Sequence, residues 1–415
     1  MAIASTTAPT APLLRRAQRA VGLTSAGVVV VVGSVVCWLL ARLQGGRTLF
    51  LLVYGAVVVV LIARFMGRKR LDLEARRTSL PPRLRQGQQI DVDLALTATR
   101  RVGVFVMEEH LHPHLGRERR LPVAGLASGA EVEHRYTITP RLRGVYSVGP
   151  LNAVWTDPFG LTRRTTELLP ASEVVVHPST EPVHDRPLTR QWEDPPVRPP
   201  ESKPWPSGFE FYGMRDYVRG DDLRRVVWKA VARTGRVLIR ESEQGITDKV
   251  LIHLDTDVNQ HSPGEPSDTF EAAVRTVASL AVHHLKDGFS VLLATNDAMV
   301  GPARRGEPGR IPLLDDLARV QRTATPLGEG VDTLVRSARS DLHTIVVTPH
   351  LDDRAAARLK LVIDRGTRVV LVVLTWEETD PRTIAFASSL GCQVVQLRPL
   401  DSLEAVFRAE IGAGR

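Results

Sequence analysis

Cysteine is almost absent, with two residues in a chain of 415. Cys37 lies inside an apolar run and Cys392 opens an apolar strand. That pattern excludes a disulfide scaffold and suits a reducing compartment. A strong charge of either sign is also missing. Fifty-four Lys and Arg against 46 Asp and Glu leave a net +8, so the surface is mixed rather than polycationic. Lysine is scarce beside arginine, and there is no zinc knuckle, RNP-type motif or basic-aromatic repeat. No nucleic-acid partner is expected.

Long hydrophobic runs are present. Residues 1–20 read as a disordered N-terminus ending in Arg15, Arg16 and Arg19. Two spans follow, 21–40 (VGLTSAGVVVVVGSVVCWLL) and 48–65, within a hairpin over 21–66. Each is long enough to cross the hydrocarbon core as a helix. A signal peptide is the alternative for the first span, but the second follows at once and no small-residue cleavage site is seen. Two buried soluble helices are the other alternative. Arg15, Arg16 and Arg19 precede the hairpin, and Arg68, Lys69, Arg70, Arg76 and Arg77 follow it. The positive-inside rule then predicts an inner (plasma) membrane protein, multi-pass, with its N-terminus and C-terminal domains in the cytoplasm. The connection carries Arg42 and Arg47, so the reverse orientation stays open.

Over 71–180 the apolar period falls to two. Ile90, Val92, Leu94 and Leu96 alternate with polar residues, as do Val102, Val104 and Val106, and Val132, His134, Tyr136 and Ile138. Short strands at 145–148, 151–155 and 174–176 are separated by Gly, Pro and Asp turns, predicting an all-β sandwich. Asp157, Pro158, Phe159 and Gly160 form a turn whose Phe is expected to pack inward. Glu108, Glu109, His110, His112 and His114 are read as a solvated hairpin loop rather than a metal site, because Pro113 interrupts the run. A stiff Pro-rich linker occupies 181–207. Across 248–415 apolar strands (250–255, 290–295, 343–348, 368–375, 392–397) alternate with helices at 269–286, 352–364 and 402–409. This predicts an α/β doubly wound domain, mostly parallel, with its ligand edge at the carboxyl ends of the strands.

The segment 208–247 concentrates charge. Leu223, Val226, Val227, Ala230 and Val231 make one apolar helical stripe, with Gly220 and Asp221 as turn and N-cap and Gly235 as terminator. Arg and Asp are interleaved, which favours an internal ion-pair network. The alternative is a surface in which Arg219, Arg224, Arg225 and Arg233 receive an acidic partner or phosphate. No nucleophile, base and oxyanion set is visible in it.

The run RDYVRGDDLRRVVWKAVARTGRVLIRESE resembles the signature of the domain-of-unknown-function family 58, on Arg215, Tyr217, Gly220, Asp221, Arg224, Trp228 and Arg233. RGVYSVGPLNAVWTDPFGLTRR (143–164) resembles the upstream segment of the same family. The resemblance implies a bacterial membrane protein with a von Willebrand factor A-like domain. It also implies a MoxR-type AAA ATPase as partner, a lipid bilayer, and no small-molecule substrate. The expected role is a non-catalytic, membrane-anchored adaptor or scaffold in envelope or complex assembly. Its contact surface is expected at 255–259 and 348–353.

In von Willebrand factor A domains the first strand ends in Asp-x-Ser-x-Ser, whose oxygens hold Mg²⁺. Here Asp255, Asp257 and Asn259 occupy those positions, so a hard cation is chemically feasible. The Asp implied after the central strand is Thr348, and Thr323 or Thr325 stands for the loop Thr. The same Asp-x-Asp also resembles the first motif of haloacid-dehalogenase-type phosphatases. In that alternative Asp255 is the nucleophile, Asp257 the acid/base and Mg²⁺ the cofactor, with Thr295 and a lysine, Lys286 or Lys360, in support. Asp352 and Asp353 arrive four residues late for the acidic pair that family requires.

Overall fold

The computed structural model describes residues 22–44, 46–66, 72–183, 211–218, 226–242, 249–337, 342–376 and 381–407. The chain divides into two compact units, residues 1–176 and 177–415.

The first unit opens with α1 (Ser25–Gln44) and α2 (Arg47–Met66), each twenty residues long. Both are long and apolar enough to cross a membrane. Small residues line their contact, with Ala41 and Ala63 fully buried, and this lets the two backbones approach. Val29, Val32, Leu51 and Leu61 face outward and are exposed.

Nine strands follow. β1 (Leu73–Arg77), β3 (Ile90–Ala98) and β6 (Glu131–Ile138) make an antiparallel sheet in the order β1-β3-β6. β2 (Arg83–Arg85), β9 (Ser172–His177), β7 (Gly144–Thr156), β4 (Phe105–Leu111) and β5 (Arg119–Val123) form the second in that order, with β8 (Arg163–Leu169) also pairing to β7. Val92, Leu94 and Leu96 from the first sheet and Phe105, Met107, Leu151 and Val174 from the second fill one core. The two sheets are the layers of a sandwich.

Several details differ from the sequence expectation. The inward phase near residue 105 is carried by Phe105 and Met107, while Val104 is exposed; the alternation of Val102, Val104 and Val106 is not that of a strand. The segments 145–148 and 151–155 are one strand, β7, which pairs with β9 along its first half and β8 along its second. Glu108 and Glu109 lie on β4, not in a solvated loop. Glu109 is fully buried and receives Arg77 of β1 at 2.6 Å, joining the two sheets, while Arg163 reaches Glu108 at 2.7 Å. His112 and His114 stack about Tyr146 with ring centroids 4.6 and 5.9 Å from it. Among the described residues no cluster of acidic, His and Cys side chains forms a metal site.

Phe159 does not pack inward. It is 52% exposed, and Leu161 is the buried residue of that turn.

The second unit begins at His177, so the start of the expected linker belongs to it. Glu181 accepts from Leu403 N at 3.1 Å and meets Arg275 at 3.2 Å, and Val183 joins the core. The rest of the linker lies outside the described residues. β10 (Phe211–Asp216) and β11 (Leu238–Ser242) form an antiparallel ribbon, connected through the short helix α3 (Trp228–Thr234). The helix starts later than the apolar stripe suggests: Val226 is bridged to Ile239 instead of being helical. Gly235 ends it as expected, with φ of 69° and its N–H on Val231 O, a left-handed cap that glycine adopts without a Cβ penalty.

The remaining chain is a six-stranded sheet in the order β14-β13-β12-β15-β16-β17. β12 (Lys249–Leu254), β13 (Ser290–Thr295), β15 (His343–Thr348), β16 (Arg368–Leu374) and β17 (Gln393–Leu397) are parallel, and the short β14 (Arg304–Arg305) is antiparallel at the edge. α4 (Asp268–Lys286) and α5 (Gly306–Arg319) share one buried core with the sheet. α6 (Leu327–Ser337), α7 (Asp353–Asp364) and α8 (Pro381–Ser389) contribute to the other. The strand order reverses at β12, which places the switch point at the carboxyl end of that strand.

Burial holds the Glu109 carboxyl above its usual range, outweighing the Arg77 guanidinium that pulls it down. The pair therefore positions the sheets more than it stabilises them, and removing one partner strands the other. Glu109→Ala should cost about 3–5 kcal/mol, because Arg77 is left a buried cation. Denaturant unfolding of the whole protein in detergent checks this, with the exposed-pair change Asp93→Ala, expected to leave the midpoint nearly unmoved, as comparison.

Candidate functional site

Asp255 follows β12 directly and is fully buried. Its Oδ1 accepts from Asp257 N at 3.0 Å and from Asn296 Nδ2 at 2.7 Å. Thr348 Oγ1 lies 2.7 Å from Oδ2. The donors come from the ends of all three central strands, since Asn296 follows β13 and Thr348 ends β15. Asp255 N in turn donates to Val347 O at 3.0 Å.

A second ring of contacts holds the first. Asn296 donates also to Thr325 O at 2.8 Å, and its Oδ1 accepts from His253 Nε2 at 3.0 Å, which fixes the amide orientation. His261 Nε2 donates to the Asp255 carbonyl at 2.9 Å, and its Nδ1 accepts from Thr269 at 3.1 Å. Gly330 on α6 lies so close that a Cβ there would stand 2.6 Å from Asn296 Cα. The helix can approach only because that position lacks a side chain.

Asp257 is buried as well, and its Oδ1 accepts both the N–H of Asn259 at 2.9 Å and Nδ2 of Asn259 at 3.0 Å. Asn259 thus turns its amide nitrogen toward Asp257. Thr323, rather than Thr325, is the threonine beside this turn: its N donates to Thr256 O at 2.7 Å, and its hydroxyl meets that of Thr256 at 3.0 Å. Thr325 Oγ1 instead donates to Asp297 at 2.5 Å.

The three positions Asp255, Asp257 and Asn259 are brought together, but as a hydrogen-bonded turn. Donors converge on the Asp255 carboxylate, where a divalent cation would require acceptors. A cation on Oδ1 would have to displace the Asp257 N–H and Asn296 Nδ2, so that oxygen as it stands does not fit one.

The phosphatase constellation is not assembled either. Asp255 is closed to solvent and its oxygens are engaged. Lys286 ends α4, at the opposite edge of the sheet from Asp255, and Lys360 pairs with Asp364 at 2.8 Å. Asp352 is the N-cap of α7, accepting from Ala355 N at 2.6 Å, which accounts for the late acidic pair. Asn296 was missed by sequence reasoning, although a polar residue just after a neighbouring strand was the available signal.

Of the signature residues, Arg215 donates to Asp216 O at 3.0 Å, and Tyr217 N donates to Val237 O at 2.9 Å. Asp216 pairs with Arg236 on the exposed ribbon. Gly220, Asp221 and Arg224 lie outside the described residues, as do Arg219 and Arg225. Trp228 is 68% exposed, and Met214, Val218 and Val237 are exposed as well, Met214 and Val218 on one face of the ribbon and Val237 on the other. Lys229 and Arg233 sit one helical turn apart on α3 and are also exposed.

The α/β unit buries several imidazoles. Burial lowers His253 and His261, opposed at both by Asp255, and pushes His284 and His343 down to about 4. A depressed His is held neutral in the fold, so its contribution is complete above about pH 6.5 and is lost as pH falls toward about 4. By pH 5 His284 should withdraw about 2 kcal/mol. The apparent melting temperature should fall on acidification from pH 7.5 to 5, and His284→Leu should flatten that slope.

Several solved structures are similar to parts of the chain. A von Willebrand factor type A structure from Catenulispora acidiphila is 20% identical, covering 41% of this chain and 42% of its own length, with a TM-score of 0.32. This chain therefore spans under half of that structure. The CARDB domain of a Pyrococcus furiosus protein, in complex with di-metal ions, is 16% identical over 25% of this chain and 87% of its own, with a TM-score of 0.19. The C-terminal domain of wzt is 13% identical over 26% and 76%, with a TM-score of 0.20. No curated protein matches the chain. Residues 213–382, from the ribbon through the start of α8, match the model described as "Protein of unknown function DUF58".

Proposed function

We propose that this protein is a membrane-anchored scaffold that docks a protein partner and turns over no substrate. The observation that carries the reading is the α1–α2 hairpin, whose outward face is apolar along both twenty-residue helices. Such a face is stable in a bilayer and costly in water. The arginine distribution around the hairpin supports an inner-membrane location with both ends in the cytoplasm. The closed Asp255 turn supports a non-catalytic role, because the edge where an α/β domain keeps its chemistry is filled by the protein's own donors.

The partner surface is better sought on the ribbon than at residues 255–259 and 348–353. In those loops Asp255, Thr256, Asp257 and Thr348 are buried. α3 leaves Trp228, Lys229 and Arg233 exposed, and the ribbon leaves Met214 and Val218 exposed, large apolar and cationic side chains of the types that protein interfaces favour. A MoxR-type AAA ATPase is the partner that the family resemblance puts forward, in envelope or complex assembly. Purification from detergent-solubilised native membranes should bring down that ATPase, and Trp228→Ala with Arg233→Glu should reduce its recovery about tenfold or more, a loss of about 1.4 kcal/mol or greater. A solitary chain that hydrolyses a phosphate ester, with activity abolished by Asp255→Asn, would overturn the reading.

A further inference from the structure

The turn after β7 is joined to the hairpin. Asp157 organises it: Oδ2 accepts from Phe159 N at 2.9 Å, and Oδ1 takes both the N–H and the hydroxyl of Thr162. On its other side the turn pairs with the entry to α1. Thr24 N donates to Leu161 O at 2.9 Å, Thr24 Oγ1 to Gly160 O at 2.5 Å, and Arg163 N to Gly22 O at 2.9 Å. Thr24 also caps α1, accepting from Gly27 N at 3.0 Å. The Thr162 hydroxyl oxygen, its proton given to Asp157, stands 3.4 Å from the carbonyl of Ala63 in the last turn of α2. Gly27 abuts the turn so closely that a Cβ there would fall on the Leu161 carbonyl oxygen. The turn therefore lies beside the first turn of α1.

This contact sets the depth of the tip. Gly27 is two residues, or about 3 Å along the helix axis, from Val29, whose side chain is 70% exposed. Phe65, 73% exposed, stands at the same end of α2. Phe159 stands on a turn held by hydrogen bonds among Gly22, Thr24, Asp157 and the turn's own backbone, with Arg163 and Arg164 shortly after it. A half-exposed aromatic ring, on a turn bonded to the first turn of a membrane-length helix, suits the boundary between headgroups and acyl chains.

We propose that the 157–162 turn is an interfacial membrane anchor, with Phe159 seated in the lipid headgroup–acyl boundary next to the hairpin. The proposal rests on the hairpin crossing a bilayer, and it adds a second attachment that fixes how the β-sandwich stands on the lipid surface.

The test uses the full chain in phosphatidylcholine–phosphatidylglycerol vesicles, in a Cys37→Ser, Cys392→Ser background. Nitroxide labels are placed singly at Phe159→Cys and at Val36→Cys, an exposed mid-span position. Collision with oxygen, which concentrates in lipid, is compared with collision with a water-soluble nickel complex. The ratio at residue 159 is expected between that at residue 36 and that of free label in buffer, with nickel access reduced at least threefold from the free label. Nickel access at 159 equal to the free label, with residue 36 protected, overturns the anchor and leaves the span standing. Nickel access at residue 36 itself overturns both.

Discussion

A buried carboxylate must be given donors or be expelled. Asp255 has two N–H donors, one from its own following turn and one from the residue after β13, and the Thr348 hydroxyl at the end of β15 is shared between it and the His350 carbonyl. No single strand could satisfy it, so its burial requires the three central strands to end level with one another. The surrounding contacts follow from that requirement: His253 orients Asn296, and α6 comes in over Gly330. Asp257 repeats the arrangement on a smaller scale with Asn259. What looks in sequence like a set of oxygens awaiting a cation is, in three dimensions, a carboxylate already served.

The first unit solves a different problem by the same means. A hairpin of two apolar helices has no intrinsic orientation to the domain that follows it. Strand-like pairing of 22–24 with the 157–162 turn, and the contact of Thr162 with α2, supply one. In both units a short Asp-centred turn ties together elements distant in sequence. Neither turn exposes a reactive group. Among the side chains left outside are Phe159 beside the hairpin and Trp228 and Arg233 on α3.

Much of this architecture was readable from periodicity. The strands at 290–295 and 343–348 fall where their apolar runs place them, because buried parallel strands have no other composition. Other elements were hidden for identifiable reasons. α5 opens GEPGRIP and α6 carries two glycines, compositions that mask helical period; Gly330 is retained for its close approach, a tertiary demand invisible locally. The phase error at Val104 arose because valine and phenylalanine alternate over the same stretch, and only the partner strands decide which faces inward. Phe159 was expected inside because it is apolar, but the turn beside it had Leu161 to bury. Of the candidate site, Asp255, Asp257 and Thr348 were named from sequence. Asn296 was not, since its role depends on a neighbouring strand and on His253.

The central claim is that the Asp255 turn is complete without a cation. Mg²⁺ that bound there would raise the melting temperature by mass action, by about 2.7 kcal/mol of stability at a hundredfold excess over its dissociation constant. The direct measurement is the melting temperature of the whole protein across a Mg²⁺ series from chelator to millimolar. The account predicts no shift beyond the general effect of salt. A rise with Mg²⁺ that vanishes in Asp255→Asn would contradict it.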